Sequence, residues 1–201
     1  MMKKLITLTL SIVATLLLGA SAVLAQGGDR TTFTGTVISY GSGFNTRTTT
    51  NTFTLNLTGT TSDNDAKRFL GLLDDNGQDD LLKAIHSTDL GNFALGGRIG
   101  RTVNGVRISD VDGKQRIRII FERWIGGGEL RGGYRSIDYP FGYIELMVDP
   151  VTGKGDGTYI AAAQLRVRTD KKTGQDVVEV EDFGTFPSRL VGVTVRGRKL
   201  L

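Results

Sequence analysis

An apolar–polar alternation of period two recurs in short segments between residues 33 and 196, and no other feature restricts the fold as strongly. Successive side chains of a strand point to opposite faces, so this pattern marks strands with one buried and one exposed side. Phe53, Leu55 and Leu57 alternate with Thr52, Thr54, Asn56 and Thr58, and Phe33, Gly35 and Val37 alternate with threonines in the same way. Ile117, Ile119 and Phe121 share one face, while Arg116, Arg118, Glu122 and Trp124 share the other. Ile144, Leu146 and Val148 alternate with Glu145 and Met147. Tyr159, Ala161, Ala163, Leu165 and Val167 alternate with Gln164, Arg166 and Arg168. Val178 and Val180 alternate with glutamates, and Val191, Val193 and Val195 with Thr194 and Arg196. Weaker patterns cover 92–99 and 105–111.

About nine strands follow, joined by glycine turns at 103–106, 110–114, 151–157 and 171–175. Short turns pair sequence neighbours antiparallel. The expected fold class is mainly β: a single antiparallel barrel or sandwich around one core.

One segment breaks the period. Ser62 is a good N-cap, and Ala66, Phe69, Leu70 and Leu73 follow at helical spacing. Asn76-Gly77 interrupts, then Asp79 and Asp80 open a second helix carrying Leu81, Leu82 and Ile85. An inserted helical hairpin over about 62–88 is expected, packed against the sheet or plugging one mouth of a barrel.

The amino-terminal residues read as a bacterial Sec-type signal peptide. Lys3 and Lys4 precede an apolar run from Leu5 to Leu18, and Ser21 to Ala25 supplies small residues for cleavage after Ala25. No cysteine follows the run, which argues against a lipid-anchored form. The expected organisation is a cleaved leader at 1–25, a flexible mature start at 26–30, and one β-rich domain at 31–201. The expected location is secreted or periplasmic, with no transmembrane segment once the leader is gone. An eight-stranded outer-membrane barrel is disfavoured, because aromatics are only 7% of residues and girdles of them would be required.

Loss of Lys3 and Lys4 leaves 23 basic residues against 21 acidic ones. A charge near +2 with no basic patch points away from nucleic acid as a partner.

Residue inventory narrows the chemistry. The chain has one histidine, His86, and no cysteine, so zinc sites built on those ligands and cysteine nucleophiles are excluded. His86 ends a helix beside Ser87 and Asp89, a spacing that cannot converge into a catalytic triad, and its expected role is a solvent-facing helix end. The aspartates of the turns fail the EF-hand spacing around Gly77 and Gly113, and Asp149 and Asp156 read as turn formers. Glu122, Glu129, Asp138 and Glu145 alternate with arginine, as surface charge does. No cofactor and no metal are implied, and a barrel enzyme is the least favoured reading.

The most unusual stretch is FERWIGGGELRGGYRSIDYPFGYIEL, 121–146. Its glycines lack the Gly-Lys-Ser/Thr of a phosphate loop. They read as a chain reversal, with Pro140 opening the next strand. Trp124, Arg131, Tyr134, Arg135, Asp138 and Tyr139 crowd this loop and form the candidate contact set for a ligand or partner, because arginine and aromatic side chains suit stacking and anion contact. They also suit an Arg–Asp pair that pins the loop.

The sequence therefore reads as an exported soluble binding module, whose partner is a small ligand or an envelope protein. The first reading expects a hollow barrel lined by some of Gly35, Ala161 and Ala163. The alternative, a structural or protein-interaction component of the bacterial envelope, expects a filled core and an exposed aromatic patch around Trp124 and Tyr139.

Overall fold

The computed structural model describes residues 30–41, 47–123, 125, 127–132, 135–169, 176–184 and 186–197. The expected leader and the turn at 171–175 lie outside these residues. Chain order is β1 (Thr31–Ser39), β2 (Thr49–Leu57), α1 (Asp63–Asn76), α2 (Gln78–Ile85), β3 (Gly91–Leu95), β4 (Arg101–Thr102) and β5 (Gly105–Val111). Then come β6 (Lys114–Glu122), α3 (Gly127–Gly132), a 3-10 turn at Arg135–Asp138, β7 (Phe141–Val148), β8 (Lys154–Thr169), β9 (Asp176–Asp182) and β10 (Ser188–Gly197). All nine expected strands are present, and the two-residue β4 is additional.

The strands form one antiparallel sheet ordered β4-β3-β2-β1-β10-β8-β7-β6-β5, with β9 on β8 beyond β10. Strand twist curls so long a sheet, here into a half-barrel. Phe93 of β3 thereby meets Phe121 of β6 and Tyr159 of β8, with ring centroids 5.6 and 5.2 Å apart.

Residues 103–106 bridge the two ends of the curled sheet. The Leu90 amide donates to the Val103 carbonyl at 2.8 Å, and the Val103 amide to the Gly91 carbonyl at 2.9 Å. One residue on, the Asn104 amide donates to the Ile120 carbonyl at 3.0 Å. The Asn104 side chain accepts from the Glu122 amide and donates to the Thr88 carbonyl, each at 2.8 Å. Asn104-Gly105 was expected to turn a hairpin. Instead β4 and β5 pair with different strands, and Asn104, 3% exposed, is spent on the seam.

The concave side is filled, contrary to the hollow interior expected for a barrel binder. Phe33, Leu55, Leu57, Ile117, Ile144 and Leu146 are wholly buried there. Gly35 does not open space, because its cross-strand partner Phe53 lies over it; a Cβ at residue 35 would sit 2.8 Å from Phe53 Cε1. Ala161 is exposed, and Ala163 lies on the opposite face of the sheet.

That last difference comes from a bulge. Between Ile160 and Ala163, β8 spends three residues where β7 spends two, from Tyr143 to Phe141. An extra residue reverses which face later side chains occupy. Tyr159 therefore points into the core, while Ala163, Leu165 and Val167 point outward, although their spacing suggested one continuous face. A second bulge at Gly192, with φ 62°, likewise separates Val191 from the inward Val193 and Val195.

The helical hairpin takes the first of its two expected placements, against the sheet. Ser62 caps α1, its hydroxyl accepting from the Asp65 amide at 3.1 Å. Gly77 turns the chain into α2 with φ 83°, a left-handed value that glycine adopts without strain. Phe69, Leu73, Leu81 and Ile85 pack on Phe141, Ile160 and Leu165 to make a second core on the outer face.

Candidate ligand-binding groove

The outer face of β5 to β8 is ordered in rows by the strand register. The first row runs Gly105, Ile120, Tyr143 and Ile160. Two residues along comes Arg107, Arg118, Glu145 and Thr158. The third is Ser109, Arg116, Met147 and Asp156. The face thus passes from apolar to cationic along the strands.

Over the first row the helical hairpin does not close completely. A groove of about 330 Å3 remains between α1, α2 and the sheet. Its wall of Ala66, Phe69, Leu73 and Leu81 faces Val106, Ile120, Leu165 and Val180 across it. Leu70 and Val178, 37% and 44% exposed, form its rim. Arg107, Arg118 and Tyr143 stand where the groove meets the second row.

The groove's width is held by a clamp at the start of α1. Thr61 donates its amide to the Val106 carbonyl and accepts the Val106 amide on its hydroxyl, both at 2.9 Å. The Arg107 guanidinium reaches the Thr61 carbonyl at 3.1 Å and Asp63 Oδ1 at 2.7 Å. These bonds tie the first turn of α1 to β5.

Polar groups at the mouth divide into engaged and free. Tyr143 donates its hydroxyl to Glu145 Oε2 at 3.0 Å. Burial first, and then the Glu145 charge, raise its pKa well above the ordinary tyrosine value, so it is a neutral phenol at any physiological pH. Arg118 lies between Arg107 and Glu145 in the register and makes no hydrogen bond or ion pair to any described residue. Arg116 Nε and Ser109 Oγ are buried without a hydrogen-bond partner.

The 121–146 loop is a different place. Trp124 and Tyr134 lie outside the described residues. Arg131 is exposed on α3, Arg135 opens the 3-10 turn, and Asp138 is exposed at its end. Tyr139 is 7% exposed, its hydroxyl 2.6 Å from Glu181 Oε1 and its ring edge-on to Phe183. Of the candidates whose side chains are described, Arg131, Asp138 and Tyr139, none lines the groove.

Arg123, which the loop's composition did not single out, holds the segment: its Nε donates to the Tyr139 carbonyl at 2.9 Å and its Nη2 to the Ser136 carbonyl at 2.8 Å. The glycine run expected as plain loop contains α3, since Glu129, Leu130 and Arg131 are good helix formers between its glycines.

The acidic groups do not converge among the described residues. His86, exposed as expected, pairs through Nδ1 with Glu122 Oε2 at 2.7 Å. Asp149 accepts the Val151 and Thr152 amides in its own turn, which holds its carboxyl below the usual range. No group of three or more metal-ligating side chains occurs among the described residues. No helix among them is long and apolar enough to cross a membrane.

Comparison with protein-family models, curated proteins and solved structures finds no match to this chain. The functional reading therefore rests on the groove itself.

Proposed function

We propose that this chain is an exported binding module that holds one small, elongated apolar molecule in the groove between the helical hairpin and the outer face of β5 to β9. The carrying observation is the groove: about 330 Å3 of apolar-walled space with an exposed aliphatic rim, beside a half-barrel interior that is already filled. Volumes of this order are typical of small-molecule sites. The amino-terminal leader pattern supports export, with the bacterial periplasm or the exterior as the site of action.

A second reading has one observation in its favour. Phe183, which stacks edge-on against Tyr139, and Phe186, three residues further along the chain, are 47% and 64% exposed, aromatic surface of the kind an envelope protein would cover. The groove supports the first reading better, because it is concave and walled by two independent elements.

The test is titration of the full chain with N-phenyl-1-naphthylamine, an uncharged dye that brightens in apolar surroundings. A saturable rise that is lost in Ala66→Trp, which fills the groove, is expected. Equal brightening by wild type and Ala66→Trp would sink the proposal.

A further inference from the structure

We infer that the groove's ligand is a long-chain anion, its carboxylate or phosphate head held by Arg118 with Arg116 behind it. This rests on the groove reading and adds the head-group chemistry to it.

Moving two residues along the strands, roughly 7 Å, leads from Ile120 and Tyr143 on the groove floor to Arg118. A second step leads to Arg116. A molecule lying in the groove and extending along β6 passes from aliphatic walls onto two guanidinium groups of the same strand.

Those guanidinium groups are not used by the fold. Arg107, their neighbour on β5, is occupied by Asp63 and the Thr61 carbonyl. Glu145, the acidic group facing Arg118 from β7, takes the Tyr143 hydroxyl and makes no ion pair with Arg118. Arg116 Nε, meanwhile, is buried with no partner, and Ser109 Oγ beside it in the register is in the same condition. Buried donors in folded proteins almost always have a partner, so an unpaired guanidinium nitrogen next to a free guanidinium points to a missing acceptor. A planar guanidinium matches the two oxygens of a carboxylate or phosphate.

Charge around the mouth agrees with this assignment. From β5 and β6 it receives Arg107, Arg116 and Arg118; Asp63 at the start of α1 and Glu145 on β7 oppose them. Asp63 offsets Arg107 and Glu145 offsets one of the other two guanidinium groups, which leaves a net positive charge at the place where the apolar walls end.

Isothermal titration of the full chain with hexadecanoate, hexadecyl phosphate, hexadecanol and inorganic phosphate, with Arg118→Met, Arg116→Met and Ala66→Trp as variants, separates the possibilities. The expected result is that both amphiphilic anions bind about tenfold or more tightly than the alcohol, and that Arg118→Met removes the difference while keeping alcohol binding. Ala66→Trp should lose all three chains. Equal affinity for anions and alcohol, insensitive to Arg118 and Arg116, overturns the head-group assignment and leaves the groove reading intact. Inorganic phosphate binding as tightly as hexadecyl phosphate overturns the coupling of head to chain. Failure of all chain ligands overturns the groove reading and the inference with it.

Discussion

The ring of Phe121 stands over its cross-strand partner Gly142, in the space a Cβ at residue 142 would occupy. Gly35 and Phe53 repeat the arrangement across β1 and β2. Each glycine lets a phenylalanine lie flat against the sheet, and rings so placed fill the concave side. Gly142→Ala should therefore push Phe121 off its seat and cost about 1–3 kcal/mol in urea unfolding. Adding Phe121→Leu should cost less in that background than in wild type, because the two changes share one space.

Asn104 joins the ends of the sheet through both functions of its side chain. Asn104→Ala leaves the Glu122 amide and the Thr88 carbonyl without their partners, at a cost on the order of 3 kcal/mol. Hydrogen exchange at the Glu122 amide should accelerate more than exchange in the middle of β1. Uniform acceleration across both strands would mean that the seam has no local role.

Two buried tyrosines make stability fall on the alkaline side. Burial raises Tyr143 well above the ordinary value and Tyr159 to about 12, the latter despite the opposing charges of Arg101 and Arg123. A phenol whose acidity is weakened by folding contributes its full stability below the unfolded value near 10, and loses it as pH rises beyond that. Chemical denaturation should thus give a flat stability through neutral pH and a decline above about 10. Tyr143→Phe should shrink that decline, and an unchanged decline would contradict the assignment.

Arg123 pins the loop between β6 and β7 through two carbonyls. Its fork of donors cannot be reproduced by an ammonium group, so Arg123→Lys should expose the loop nearly as much as Arg123→Met. Limited proteolysis is expected to cut both variants between residues 123 and 140 faster than wild type. Protection by lysine equal to that by arginine would show that charge alone suffices.

Period-two alternation was enough to place nine strands, because inward side chains on a half-buried sheet must be apolar. The helical hairpin was equally legible, from Ser62 as a cap and Gly77 as a break. What the pattern could not reveal is register across a bulge. The spacing from Tyr159 to Val167 looks unbroken, yet one unpaired residue sends its two halves to opposite faces. The groove was missed for the same reason, since its wall at Leu165 depends on that reversal. One signal was present: Ile119, Ile120 and Phe121 are consecutive apolar residues, as in a strand covered on both faces. Composition instead drew attention to the 121–146 loop, where Arg131 and Asp138 are exposed and Tyr139 serves packing.

The most direct measurement is an amide-shift map of the full chain, labelled with nitrogen-15 and titrated with hexadecanoate. The account predicts saturable shifts at Ala66, Leu70, Arg118, Tyr143 and Val178, with Phe33 and Leu55 unmoved. Shifts centred on the core strands β1 and β2, or on Tyr139 and Phe183, would contradict it.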